Sequence, residues 1–92
     1  MPSQARLERI GDRIREELSD MLLRDLSDPR LKLVSVTDVT VDKELSYADV
    51  FVSALEGVTR SRQVLQALDS ASGFIRRELV RRVVLRSFPR LR

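Results

Sequence analysis

The chain has 92 residues, 42% of them hydrophobic and 34% charged, with a net charge of +3. It contains no cysteine and no histidine, which excludes a disulfide framework, a thiol nucleophile and the commonest general base and metal ligand. No apolar run approaches the roughly 18 residues of a membrane span, and the charged stretch from Met1 to Gly11 does not resemble a secretory leader; a reduced, cytoplasmic location without membrane contact is expected.

Ser3 is placed to cap a first helix. Leu7, Ile10, Ile14, Leu18, Met21, Leu22 and Leu26 recur at spacings of three and four, the pattern of one apolar helical face. Arg9, Asp12, Arg13, Glu16, Glu17 and Asp20 fall off that stripe and read as solvated. Asp28-Pro29 predicts the stop near Ser27 or Asp28, because proline disfavours helical backbone in the residue before it. Leu33 to Val41 reads as a strand. Val34 and Val36 share one parity and Val39 and Val41 the other, which predicts a bulge or strong twist near Thr37 and Asp38. Asp42-Lys43-Glu44-Leu45 is a polar turn.

Tyr47 to Ala54 is a second strand, with Ala48, Val50, Val52 and Ala54 on one face and Tyr47, Asp49, Phe51 and Ser53 on the other. The short connection favours an antiparallel hairpin. A second helix follows, capped by Thr59 or Ser61, with Val64, Leu65 and Leu68 as its apolar face. Ala71-Ser72-Gly73 interrupts the pattern. A glycine costs about 1 kcal/mol in a helix interior relative to alanine, so its presence between two helical stretches predicts a kink or a close approach. A third helix runs from about Phe74 to Leu85, and Phe88-Pro89 ends it. The order is helix, strand, strand, helix, kink, helix in one α+β domain spanning residues 1–92. Two strands make a marginal sheet, so a final strand is expected, absent from the chain or truncated after Arg92.

Candidates for catalysis are few. Asp38, Asp42, Glu44 and Asp49 lie on or beside the strands, but their spacing is not that of a dense cation site. Ser72 has no histidine to activate it, and no phosphate-binding or dinucleotide fingerprint is present. A non-enzymatic protein without cofactor, metal or small-molecule substrate is expected.

Candidates for binding are more numerous. Residues 1–56 carry eight basic and twelve acidic residues, net −4, whereas residues 57–92 carry nine arginines and two acids, net +7. A basic segment of this kind fits a polyanionic partner; the plainer reading is a solvated amphipathic helix. Arg77 and Arg81, and Arg82 and Arg86, are spaced to share helical faces. Arg60 and Arg62 stand near the start of the second helix, Arg76 follows the kink, and Arg90 and Arg92 lie in the tail. Arginine suits bidentate phosphate binding, and exposed N–H groups at a helix start attract anions. Gly73 also has a packing reading, in which it lets two helices approach over the sheet. Tyr47, Phe51, Phe74 and Phe88 are all candidates for the core. That favours recognition of shape and backbone over base stacking.

Strand, helix, small-residue kink and helix is the arrangement of a KH domain, whose Gly-x-x-Gly loop clamps a nucleic-acid backbone; here Ala71-Ser72-Gly73 stands in its place. Asp28-Pro29-Arg30-Leu31, Ser46-Tyr47-Ala48-Asp49-Val50-Phe51-Val52, Ala71-Ser72-Gly73-Phe74-Ile75-Arg76, and Leu85-Arg86 with Pro89 follow in register. Together they resemble the ribosome-binding factor A family of bacterial small-subunit assembly factors, over most of residues 5–92. A monomer is expected by default; the resemblance implies a type II KH-like fold that binds the immature 30S subunit and its 16S rRNA near the decoding region. It further implies help in maturing the 5′ end of that RNA, support for growth in the cold and release assisted by a GTPase. By that analogy Ser72, Gly73 and the arginines of the third helix meet RNA. The alternative is a protein-interaction module using the acidic first helix or an open sheet edge.

Overall fold

The computed structural model describes residues 2–54, 60–85 and 87–92. Helix α1 (Gln4–Arg24) leads through a 3-10 turn (Pro29–Leu31) to strands β1 (Val34–Val41) and β2 (Tyr47–Ala54); helices α2 (Ser61–Ser70) and α3 (Ser72–Arg82) follow, then strand β3 (Arg90–Leu91). Ser3 caps α1 as its side chain predicts, the hydroxyl accepting from the Arg6 N–H at 3.1 Å. The helix ends at Arg24 rather than near Ser27, and Asp28 instead caps the 3-10 turn.

The strand order is β1-β2-β3. β1 and β2 form the expected antiparallel hairpin, and its register slips between Val36 and Asp38, leaving Thr37 as the extra residue. This bulge has a clear consequence for the packing. It returns Val39 to the face that carries Val34 and Val36, so one side of β1 stays apolar despite the parity change. On β2, Ala48 is fully buried on that same side, whereas Phe51 on the other face is 51% exposed. The placement of Phe51 among core candidates is thereby corrected, since strand alternation directs it outward.

Of the two expectations for the final strand, outright absence is corrected. β3 is present as two residues, parallel to β2 with Tyr47 opposite Arg90 and Ala48 opposite Leu91. Backbone bonds from Arg90 N–H to Ser46 O (2.8 Å), Arg92 N–H to Ala48 O (2.9 Å) and Val50 N–H to Arg92 O (2.9 Å) hold it there. Pro89, which lacks an N–H to leave unpaired, is fully buried just before it.

α1 lies across the inner face of the sheet. Ile10, Ile14, Leu18 and Met21 join Val36, Val39, Ala48, Ile75, Leu79 and Val83 in the main core. A second cluster, Leu31, Val34, Val64 and Ala67, seats α2 on the 3-10 turn and the start of β1. α3 ends at Arg82, three residues before the predicted Leu85, because Val83 turns to extended backbone (φ −114, ψ 114). Its side chain remains in the core while Val84 points to solvent.

Candidate nucleic-acid interface

One residue separates α2 from α3. Ala71 sits at φ −90, ψ 0, closing α2 through a bond from its N–H to Ala67 O (3.1 Å) and opening α3 by accepting from the Ile75 N–H (2.9 Å). The predicted kink is therefore a single bridge-region residue. α3 begins at Ser72, and no side chain caps it. The first N–H groups of a helix have no partner within the helix, and the dipole there is positive. Ser72 and Gly73 are both exposed at this end.

Gly73 has no positive φ, and a Cβ built on it would meet one neighbour within 4 Å, the Arg77 Nη1 at 3.3 Å. Close helix packing is therefore not what glycine supplies here. It leaves room for the Arg77 guanidinium, one turn on, to fold back over the start of α3. Arg76 and Arg77 are exposed and have no ion-pair partner among the described residues. Arg62 is exposed in the first turn of α2. Arg81 is 74% exposed and pairs with Glu78 at 2.9 Å.

Two of the predicted arginines have their groups engaged inside the protein. The Arg60 guanidinium donates to Arg30 O at 2.9 Å, tying the start of α2 to the 3-10 turn. Arg30 in turn forks onto Asp28, with Nη2 to Oδ2 at 2.7 Å and Nε to Oδ1 at 3.1 Å. Asp-Pro-Arg-Leu is thus a folded latch with Leu31 buried beneath it. Arg82 is 20% exposed and faces four carboxylates: Asp25 at 3.0 Å, Glu78 at 3.1 Å, Asp20 at 3.4 Å and Glu17 at 3.6 Å. It joins α3 to the polar face of α1. Arg86 lies outside the described residues, as does Thr59. In the tail, Arg92 pairs with Asp49 at 2.8 Å and stacks over the Tyr47 ring at 4.0 Å.

These pairs move the titrations. Hydrogen bonds from Arg81 and then Arg82 hold the Glu78 carboxyl below its ordinary 4.5, and the Arg30 side chain and N–H hold Asp28 below 3.8. A carboxylate whose folded pKa is depressed stabilises the fold above its unfolded value, and that contribution is lost as pH falls through the folded value. Thermal stability is therefore expected to drop on acidification below about pH 4. Arg82→Ala should lower Tm more than Arg81→Ala at neutral pH, whereas Arg81→Ala should flatten the Glu78 part of this acid dependence more. Equal Tm for the two variants in a thermal melt would contradict the pinning role.

The succession α-β-β-α-α-β, with a one-residue junction between its second and third helices, defines a type II KH-like domain. The family model for ribosome-binding factor A matches residues 6–92. A ribosome-binding factor A of Acetivibrio thermocellus is 48% identical over 87 residues, covering 94% of this chain and 71% of the relative. The crystal structure of ribosome-binding factor A from Thermus thermophilus superposes with a TM-score of 0.72 at 33% identity, over 98% of this chain and 92% of that one. Thermus thermophilus coordinates fitted into a cryo-EM map of a 30S–ribosome-binding factor A complex give 0.63 at 34% identity, over 96% and 85%. The chain belongs to the ribosome-binding factor A family.

Proposed function

We propose that this protein is a non-catalytic, cytoplasmic assembly factor that binds the immature 30S subunit as a monomer and assists maturation of the 5′ end of 16S rRNA. The observation that carries the reading is the α2–α3 junction. An uncapped helix start with exposed Ser72 and Gly73 stands beside the exposed guanidinium groups of Arg76 and Arg77. Arg62 and Arg81 extend the surface, and the 30S complex of the Thermus relative supports the choice of partner. Arg82 leaves the proposed RNA surface, because its charge is committed to α1 and Glu78. The alternative of an acidic docking helix has less support, since Glu17 and Asp20 on α1 already face Arg13, Arg24 and Arg82. No helix among the described residues is long and apolar enough to cross a membrane, which suits a partner in solution.

The test is charge reversal of Arg76 and Arg77 together. Each lost phosphate contact reduces the slope of log affinity against log salt by about 0.7 for a single strand, so the double variant should bind 30S with a slope shallower by about 1.4. Unchanged affinity and slope, with circular dichroism confirming a native fold, would remove the junction from the RNA-binding surface.

A further inference from the structure

Arg6, Arg9 and Arg90 are exposed arginines that the junction does not use, and none has an ion-pair partner among the described residues. Two open clefts, of about 560 Å³ and 460 Å³, bring them together. The first is lined by Arg6, Arg90, Ser46, Ser87 and Tyr47, among others. The second lies between Arg6, Arg9 and Arg13 on α1 and Arg82, Val83, Val84 and Leu85 at and just after the end of α3. Arg6 and Leu85 line both, so the clefts adjoin and together make a trough from the start of β2 to the middle of α1, with these two residues between its halves. It shares no lining residue with the groove that contains Ser72.

We propose that this trough is a second contact for the RNA backbone, so that the protein grips its rRNA in two places. The proposal rests on the RNA-binding function argued above. Arg6 and Arg9 are three apart and face the same side of α1. Glu44 is the one carboxylate among the described lining residues, and the other two cationic groups, Arg13 and Arg82, already pair with α1 and α3 acids. The trough therefore presents uncompensated positive charge along an open channel, which suits a polyanion that runs past it rather than an enclosed small ligand. Hydroxyls at one end add donors for phosphate or 2′-OH groups. That end is preformed, because the Asp42 carboxylate accepts from the N–H groups of Ser46 (2.7 Å) and Tyr47 (3.1 Å) and fixes the rim. At the other end Val84, 94% exposed, offers an apolar contact for a ribose.

The experiment compares the unsubstituted protein, Arg6→Glu/Arg9→Glu, Arg76→Glu/Arg77→Glu and the fourfold variant for 30S binding across a salt series, each checked for native circular dichroism. Both trough positions lie on an exposed helix face and take part in no ion pair among the described residues, so the fold should persist. The trough variant should bind with a slope shallower by about 1.4 and the fourfold variant by about 2.8, the sum expected of separate surfaces. A trough variant that matches the unsubstituted protein, while the junction variant weakens, overturns the second contact alone. If neither variant weakens, the RNA-binding function itself fails. A poly-glutamate peptide is the further probe: loss of its binding in the trough variant, with 30S binding unchanged, would assign the trough to an acidic protein and overturn the proposal.

Discussion

Gly11→Val is expected to destabilise the protein by about 3 kcal/mol or more, the upper range for forcing atoms into a packed interior. A Cβ at residue 11 would stand 2.5 Å from Val39 O, and 3.5 Å from that carbonyl carbon. The obstacle is backbone, not the tip of a flexible side chain. Val39 is paired with Val50 just past the bulge, so β1 cannot retreat without breaking its hairpin. Even Gly11→Ala, which regains about 1 kcal/mol of helix propensity, should lower the urea midpoint. Gly73→Ala provides the contrast: its Cβ meets one movable guanidinium, and stability should stay within about 1 kcal/mol of the parent. A Gly11→Ala protein as stable as Gly73→Ala would contradict the close seating of α1 on β1.

Leu79→Ala should cost about 2–5 kcal/mol, the range for truncating a buried leucine. Leu79 is fully buried where α3 meets α1 and the sheet, in contact with the cluster that holds Ile14 and Met21. Against a total stability of about 5–15 kcal/mol for a domain of this kind, that is a large fraction, and Tm should fall by at least about 8 °C. The effect on binding should differ from that of the arginine variants. At temperatures where Leu79→Ala remains folded, the salt slope of 30S binding should be unchanged, because no phosphate contact is lost. A calorimetric melt within roughly 2–3 °C of the parent, what a small surface change gives, would show that α3 is not anchored at this residue.

The local elements are legible because each rests on a short-range signal. Ser3 caps α1, β2 has the predicted bounds, and the parity change across β1 marks the bulge. Ala71-Ser72-Gly73 marks the junction. What escapes a sequence reading depends on contacts between distant segments. Arg82 stands in a run of arginines and differs from Arg81 because α1 and its C-cap turn Glu17, Asp20 and Asp25 toward it. β3 is two residues long, too short for any alternation, and its pairing with β2 is set by the buried Pro89 and the fold around it.

The two glycines show the same division. Gly73 stands out because it breaks a helical pattern, yet its surroundings are open. Gly11 sits beside Ile10 on the buried stripe of α1 and carries the tight contact. Its position within the apolar spacing is the available signal. Phe51 differs from expectation for a simpler reason: its hydrophobicity suggests the core, but its parity on β2 decides the face.

The most direct measurement of the proposed role is co-sedimentation of the purified protein with isolated 30S subunits across a salt series, beside naked RNA of mixed sequence. Selective pelleting with 30S at low salt, declining steeply as salt rises, is the expected result. Equal binding to 30S subunits and to naked RNA, or no pelleting at low salt by protein shown to be folded, would contradict the proposed role.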